Sequence, residues 1–316
     1  MSNAPPSASE VPRFSGFSTF CRLPVQDTNS ILKTDKENIG VIGIPFDAGC
    51  TYRTGARFGP QTIRNASRII RPYSIYHKLD LFDIYNCVDL GDLRTNPFNI
   101  QKSVDMISEQ IDYYFNDVGY NNLFFIGGDH TISYPILRSI NKKFGKVSLI
   151  HFDSHYDTWD SYFGEKITHG TPFKRVFDED LIDVSSSMHV GIRGTVNSKE
   201  DLSNDMKLGF DTIFCHETSR LGIDGIIEKI KQRVGENKVY ISLDIDVVDP
   251  AFAPGTGTPE CGGYSSREIL SIIRGLKSLN VIGGDVVEVS PSYDSGDITA
   301  HLAATICYEL MCLRGT

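Results

Sequence analysis

The sequence predicts an α/β protein built on a mostly parallel sheet covered on both faces. Three observations carry this. Short apolar runs recur along the chain, helical stretches lie between them, and few tight hairpin turns join one run to the next. The strand candidates are 39–44, 85–90, 123–126, 147–152, 189–192, 212–215, 239–245 and 281–289. Helical spacing is clear in 103–115, where Val104, Ile107, Ile111 and Phe115 share a face. In 265–279 a Ser265-Ser266-x-Glu268 start precedes an apolar face of Ile269, Ile272, Ile273 and Leu276. A last helix is expected at 302–313. About eight strands can close a barrel or form an open, doubly wound sheet, and the pattern fits both. In either case the chemistry belongs at the carboxyl ends of the strands.

The length of 316 residues allows one large domain or two average ones, and no repeat or interdomain linker divides it. Residues 1–12 are Pro- and Ser-rich and read as a flexible arm before a single folded domain at 13–316. The composition is that of a globular enzyme, with 40% hydrophobic and 22% charged residues. A formal charge of -9 without a basic run argues against nucleic acid as a partner. No apolar run approaches the roughly 18 residues of a membrane span, and the N-terminus lacks the apolar core of a signal peptide. Seven cysteines at 21, 50, 87, 215, 261, 307 and 312 form no CxxC pair. That pattern suits reduced thiols in the cytoplasm.

Three short clusters of metal-seeking side chains follow apolar runs. They are Gly127-Gly128-Asp129-His130, then Asp153-Ser154-His155-Tyr156-Asp157, then Asp244-Ile245-Asp246. In an extended backbone, residues two apart point the same way, so each cluster can aim its carboxylates and imidazoles at one point. Burying so many carboxylates without compensation costs several kcal/mol each, and cations are the simplest remedy. The 153–157 and 244–246 clusters supply four aspartates, and His130 and His155 two imidazoles; these are too many ligands for one ion and suit two that share bridging carboxylates. Two divalent ions also offset four aspartate charges and keep enough Lewis acidity to ionise a water near neutral pH. Carboxylates with one imidazole per ion and no thiolate favour Mn2+, with Zn2+, Co2+, Ni2+ and Fe2+ open.

The chain resembles the ureohydrolases, the arginase and agmatinase family. The resemblance rests on the three clusters, on Ser242 to Pro250, on Ala253-Pro254-Gly255-Thr256-Gly257-Thr258-Pro259-Glu260 and on Asp285-Val286-Val287-Glu288-Val289-Ser290-Pro291. Gly55-Ala56-Arg57-Phe58-Gly59-Pro60 and Gly164-Glu165-Lys166 before His169-Gly170-Thr171 look most like the agmatinase and guanidinobutyrase branch. The resemblance implies a single three-layer α/β/α domain and an amidinohydrolase that releases urea from a small guanidino compound. It implies one ion held by His130, Asp153, Asp157 and Asp244, a second held by Asp153, His155, Asp244 and Asp246, and a homotrimer or homohexamer. It casts Glu288 as partner of the guanidinium, a planar fork that meets a carboxylate bidentately. It casts His169 as proton shuttle to the leaving amine. The expected catalytic residues are thus His169, Glu288 and Asp157.

Ser154 stands where the family motif usually has Ala, and Tyr156 where Thr, Ser or Val is common. With Glu288 and His169, Tyr156 and Trp159 are the expected substrate contacts. The 156–168 loop is rich in acidic and aromatic residues, which favours agmatine, giving putrescine, over 4-guanidinobutanoate, 3-guanidinopropanoate or free guanidine. A dinuclear phosphoesterase would need a Gly-Asn-His cluster and basic phosphate ligands, which are not found. A regulatory homologue would be expected to have lost ligands, and all six are present.

Overall fold

The computed structural model describes residues 4–25 and 35–316. In chain order its strands are β1 Asn38–Ile44, β2 Tyr73–Ser74, β3 Leu79–Asp80, β4 Asn86–Asp92, β5 Asn122–Gly127, β6 Ser148–Phe152, β7 Met188–Ile192, β8 Asp211–Phe214, β9 Lys238–Asp244 and β10 Asn280–Val287. Eight of them form one sheet in the order β4-β1-β5-β10-β9-β6-β7-β8, while β2 and β3 make a small antiparallel hairpin. Every pairing in the large sheet is parallel. The sheet therefore ends at β4 and β8 and is open. Of the two closures the strand pattern allowed, the protein takes the doubly wound one.

The helices are α1 Gly59–Ser67, α2 Leu81–Ile84, α3 Ile100–Tyr113, α4 Ser133–Phe144, α5 Pro172–Asp178, α6 Lys199–Leu208, α7 Thr218–Val234, α8 Ser266–Gly275 and α9 Ile298–Cys312. Two apolar clusters divide the core. One joins Ile63 of α1, Ile226 of α7, Ile269 of α8 and Leu310 of α9 to Val41, Ile150 and Ile241. The other joins Ile107 of α3, Ile136 of α4 and Phe173 of α5 to Ile42, Phe125 and Leu149. Neighbouring residues of one strand thus go to opposite clusters, as Val41 and Ile42 do. Layers on both faces explain why these strands read as unbroken apolar runs.

Element boundaries moved for identifiable reasons. α3 starts at Ile100, because the Asn99 side chain caps it by accepting from the Lys102 N–H (2.8 Å). α8 starts where expected, with reciprocal capping between Ser265 and Glu268. β10 stops at Val287, because Glu288 takes a left-handed φ of 63° and turns its N–H to the carbonyl of Gly128 (2.8 Å). Of the expected N-terminal arm, residues 1–3 lie outside the described residues. Residues 5–9 line a cleft together with Arg22, Ile70 and Pro72. No helix among the described residues is long and apolar enough to cross a membrane.

Candidate functional site

The expected metal ligands come from the carboxyl ends of β5, β9 and β6, with β10, which leads to Glu288, lying between β5 and β9. The ligands converge as their spacing predicts, but not by the pleat of an extended strand. No ligand cluster is a continued strand. β6 ends at Phe152, and Asp153 accepts the His155 N–H at Oδ1 (2.6 Å), folding the chain into a turn. Asp157 has a left-handed φ of 54°. β9 ends at Asp244, whose side chain caps a 3-10 turn by accepting the Asp246 N–H (2.8 Å). Each cluster is shaped by its own carboxylates rather than by a pleat. Gly128 is required where β5 turns out of the sheet: a Cβ there would lie 2.2 Å from the Phe46 carbonyl oxygen.

His130 Nδ1 faces three carboxylates, Asp153 Oδ2 at 3.0 Å, Asp157 Oδ2 at 3.0 Å and Asp244 Oδ2 at 3.4 Å. His155 Nδ1 lies 3.1 Å from Asp246 Oδ2 and 3.4 Å from Asp153 Oδ1. His130 Nδ1 and Asp246 Oδ2 are buried with no hydrogen-bond partner. Donors held about 2.1 Å from one ion stand about 3.0 Å apart at right angles and about 3.4 Å apart at tetrahedral angles. The spacings therefore match edges of coordination shells, and the unpartnered atoms are the ones a cation would satisfy. The residues fit two divalent ions.

Electrostatics point the same way. Burial pushes the carboxyls of Asp244, Asp157 and Asp246 above the usual aspartate range, and repulsion adds to it, from Asp246 and Asp153 on Asp244 and from Asp153 on the other two. Burial acts on Asp153 in the same sense but is outweighed by His151, His130 and His155, which hold its carboxyl well below that range. His130 is pushed up because Asp153, Asp157 and Asp244 outweigh its burial. Without cations, the site forces carboxylates to compete for imidazole protons.

His130 is aimed from behind. Its Nε2 lies 2.9 Å from Ser242 Oγ, which donates to Asp285 Oδ1 (2.7 Å). The Tyr240 hydroxyl donates to the other oxygen of Asp285 (2.8 Å). Motif reading left Asp285 without a role, although a buried carboxylate in a central strand was itself a signal. Asp129 turns away from the ligands: it accepts the Thr131 N–H at Oδ1 (3.0 Å) and the Gly49 N–H at Oδ2 (2.8 Å), pinning the 47–55 loop. Ser154, one of the two departures from the motif, donates its hydroxyl to Asp246 Oδ1 (2.6 Å), as does its N–H (3.1 Å). It thereby orients an expected ligand.

Glu288 and His169 meet beside this cluster. Glu288 Oε1 lies 2.9 Å from His169 Nδ1 and accepts the His130 N–H (3.0 Å), while Oε2 is buried with no partner. The Thr51 N–H donates to His169 Nε2 (3.1 Å), so in the neutral ring the proton sits on Nδ1. Burial lowers the pKa of His169, but the Glu288 charge outweighs it and lifts the value to about 9.

A cleft of about 190 Å3 opens above the site. Its walls include Trp159, Tyr162, His169, Asn197 and Glu260, and its floor includes His155, Asp157 and Asp244. Tyr156 lies elsewhere. It is half-buried, and its ring meets His189 edge-on with centroids 5.5 Å apart. Asn197 had no pattern that marked it, and Glu260 closes the 253–260 motif without an assigned role; the fold brings both to the cleft.

The chain matches the model of the arginase family over residues 37–313. It is 42% identical to the guanidinobutyrase of Pseudomonas aeruginosa, over 98% of this chain and 96% of that one. It is 41% identical to the mitochondrial agmatinase of Gallus gallus, over 98% and 89%. The solved structure of proclavaminate amidinohydrolase from Streptomyces clavuligerus superposes with a TM-score of 0.89 at 39% identity, covering 96% of this chain and 99% of that one.

Proposed function

The chain belongs to the arginase family and is an amidinohydrolase of guanidino compounds, and on that premise we propose that its substrate is agmatine, cleaved to putrescine and urea. The observation that carries the choice is the charge of the cleft wall. Glu260 lines the cleft and forms no ion pair among the described residues, and no Lys or Arg lines it. An ammonium tail is attracted there, whereas a carboxylate tail would face Glu260 with no cation to receive it. Trp159 and Tyr162, with ring centroids 5.0 Å apart, offer aromatic faces to a cation or a methylene chain.

We assign the ligands as the resemblance implies. His130, Asp153, Asp157 and Asp244 hold one ion, Asp153, His155, Asp244 and Asp246 the other, and Mn2+ is the proposed metal. When bound, the pair of ions supplies Lewis acidity and an activated water at neutral pH. Glu288 receives the guanidinium: its unpartnered Oε2 accepts one N–H, while Oε1 is already shared with His169. His169 holds its proton on Nδ1, beside the place where the leaving amine needs one. Trp159 contacts the substrate from the same cleft that Glu260 lines, and Tyr156 packs edge-on against His189. Residues 13–316 form the catalytic domain of a cytoplasmic homotrimer or homohexamer.

4-Guanidinobutanoate is the second reading, favoured by the 42% identity to a guanidinobutyrase. Urea release from a panel of guanidino compounds with Mn2+ separates the two. Agmatine should show the highest kcat/KM by about tenfold or more, the effect of about 1.4 kcal/mol of tail recognition. A higher value for 4-guanidinobutanoate overturns the choice.

A further inference from the structure

A line of four buried side chains runs from the expected bridging ligand Asp153 to helix α6. Asp153 Oδ2 lies 2.8 Å from His151 Nε2, and His151 Nδ1 lies 2.7 Å from His189 Nδ1. His189 Nε2 lies 3.3 Å from Asp205 Oδ1. None of the four is more than 2% exposed. The line has a second entry, because the Thr158 hydroxyl donates to the same Asp205 oxygen (2.8 Å). Thr158 is next to Trp159, a wall of the cleft.

The tautomers follow from the contacts. Asp153 accepts, so His151 donates from Nε2 and presents a bare Nδ1. His189 must then donate from its own Nδ1. That contact holds only while the His189 ring keeps its orientation. Phe210 on one side, with centroids 4.4 Å apart, and the edge of Tyr156 on another confine it. Its Nε2 makes no hydrogen bond and approaches Asp205 Oδ1 at 3.3 Å, a contact that attracts only when that nitrogen carries a proton too, so the line requires a doubly protonated His189 with Asp205 as its counter-charge.

We propose that Asp205 and His189 are positioning residues that act through His151 to set the plane of the Asp153 carboxylate for metal binding, and that Thr158 couples this line to the cleft wall. The inference rests on the assignment of Asp153 as a bridging ligand. Its physical basis is directional. The His155 N–H takes Asp153 Oδ1 (2.6 Å) and His151 takes Oδ2, so the pair fixes both oxygens. A bridge between two ions tolerates little rotation about its carboxylate bond. Groups that hold a ligand from behind typically contribute about 10- to 100-fold in metal affinity.

The test is Mn2+ binding to the metal-stripped, full-length protein, followed by the electron-spin resonance of free Mn2+ and by calorimetry. Three variants are compared: Asp205→Ala, Asp205→Asn and His189→Phe. Asp205→Ala and His189→Phe should weaken binding about 10- to 100-fold. They should lower kcat at subsaturating metal and leave KM for the guanidino substrate within about threefold. Asp205→Asn, which keeps an oxygen toward His189 and Thr158, should recover most of the affinity. Wild-type Mn2+ affinity in a folded Asp205→Ala or His189→Phe protein overturns the proposal, as does an Asp205→Asn protein no better than Asp205→Ala. If Asp205→Ala does not fold, His189→Phe and Asp205→Asn read the same quantity. Asp153→Ala is the control: unchanged Mn2+ binding there means that the ligand assignment has failed rather than the positioning argument. Because binding is measured without substrate, an error in substrate identity leaves the result intact.

Discussion

His169 Nδ1 and Glu288 Oε1 stand 2.9 Å apart, and the Thr51 N–H, 3.1 Å from the far nitrogen, dictates which of them owns the proton. Glu288 thus keeps one oxygen on His169 and the other unpartnered. If that free oxygen receives the guanidinium, Glu288→Gln removes a charge-assisted bond of about 1.5–3 kcal/mol. The expected loss in kcat/KM is roughly 10- to 150-fold. Steady-state kinetics with metal-saturated enzyme checks it, and wild-type kcat/KM in Glu288→Gln would remove Glu288 from substrate binding.

Asp244 stands 3.4 Å from His130 Nδ1, and its burial beside Asp246 and Asp153 raises its carboxyl well above the usual range. Asp244→Ala should abolish urea release and reduce the bound metal below two ions per chain, measured by elemental analysis after desalting. Chelation of the wild type should lower Tm by several degrees, because ligand at about 100 times its Kd stabilises by about 2.7 kcal/mol. Urea release by Asp244→Ala at the wild-type rate would sink the ligand assignment.

Ser154 places a hydroxyl inside the 153–157 cluster, and that hydroxyl donates to Asp246 Oδ1 at 2.6 Å. Ser154→Ala leaves the N–H of the same residue on that oxygen at 3.1 Å, so the loss should be partial. We expect affinity for one of two Mn2+ ions to fall about 3- to 10-fold, near 1 kcal/mol. Calorimetric titration of the metal-stripped protein resolves this, and two unchanged affinities would deny the hydroxyl any such role.

Glu309 of α9 is buried between His77 Nε2 (2.9 Å) and Arg274 (2.6 Å), far from the clusters in sequence. Burial pushes its carboxyl up, but the His77 and Arg274 hydrogen bonds prevail and hold it below the ordinary value of 4.5. A depressed carboxyl stabilises the fold in full above that ordinary value and loses its effect as the pH falls through the folded-state value. Metal-free Glu309→Gln should therefore be less stable than metal-free wild type by about 1.5–3 kcal/mol at neutral pH. The Tm gap should narrow in acid, and one that stays constant down to about pH 3 would contradict the assignment.

Gly170 lies against the Trp159 ring, and an added Cβ would come within 3.2 Å of it. Gly170→Ala should displace the indole by a few tenths of an ångström. KM is expected to rise about 2- to 10-fold with little change in kcat, since a wall contact binds ground and transition states alike. A lowered kcat with an unchanged KM would place Trp159 against the reacting group instead.

The eight large strands are legible in the sequence because most are buried on both faces and so spell an apolar run that needs no partner to be recognised. Sequence reading also named the ligand clusters, because carboxylates and imidazoles two residues apart after such runs are costly unless a cation pairs them. It misjudged how they converge. A pleat was expected, whereas Asp153 and Asp244 cap their own turns and Asp157 adopts a left-handed backbone. Such turns depend on side-chain to main-chain bonds that spacing does not encode. Tyr156, expected at the substrate, packs edge-on against His189.

By itself, then, the sequence determined the α/β class, the strand ends that carry the chemistry and the donor types suited to two hard divalent ions. These are local properties, set by hydrophobic period and side-chain chemistry. Only the tertiary structure decided that the sheet is open. It also brought Asp285 behind His130, set Thr51 on His169, lined up Asp205 and His189 behind Asp153, and placed Glu260 and Trp159 in one cleft. Each of these joins residues from separate loops and strands, and their hydrogen bonds and charges become specific only once the packed sheet has fixed the distances between them.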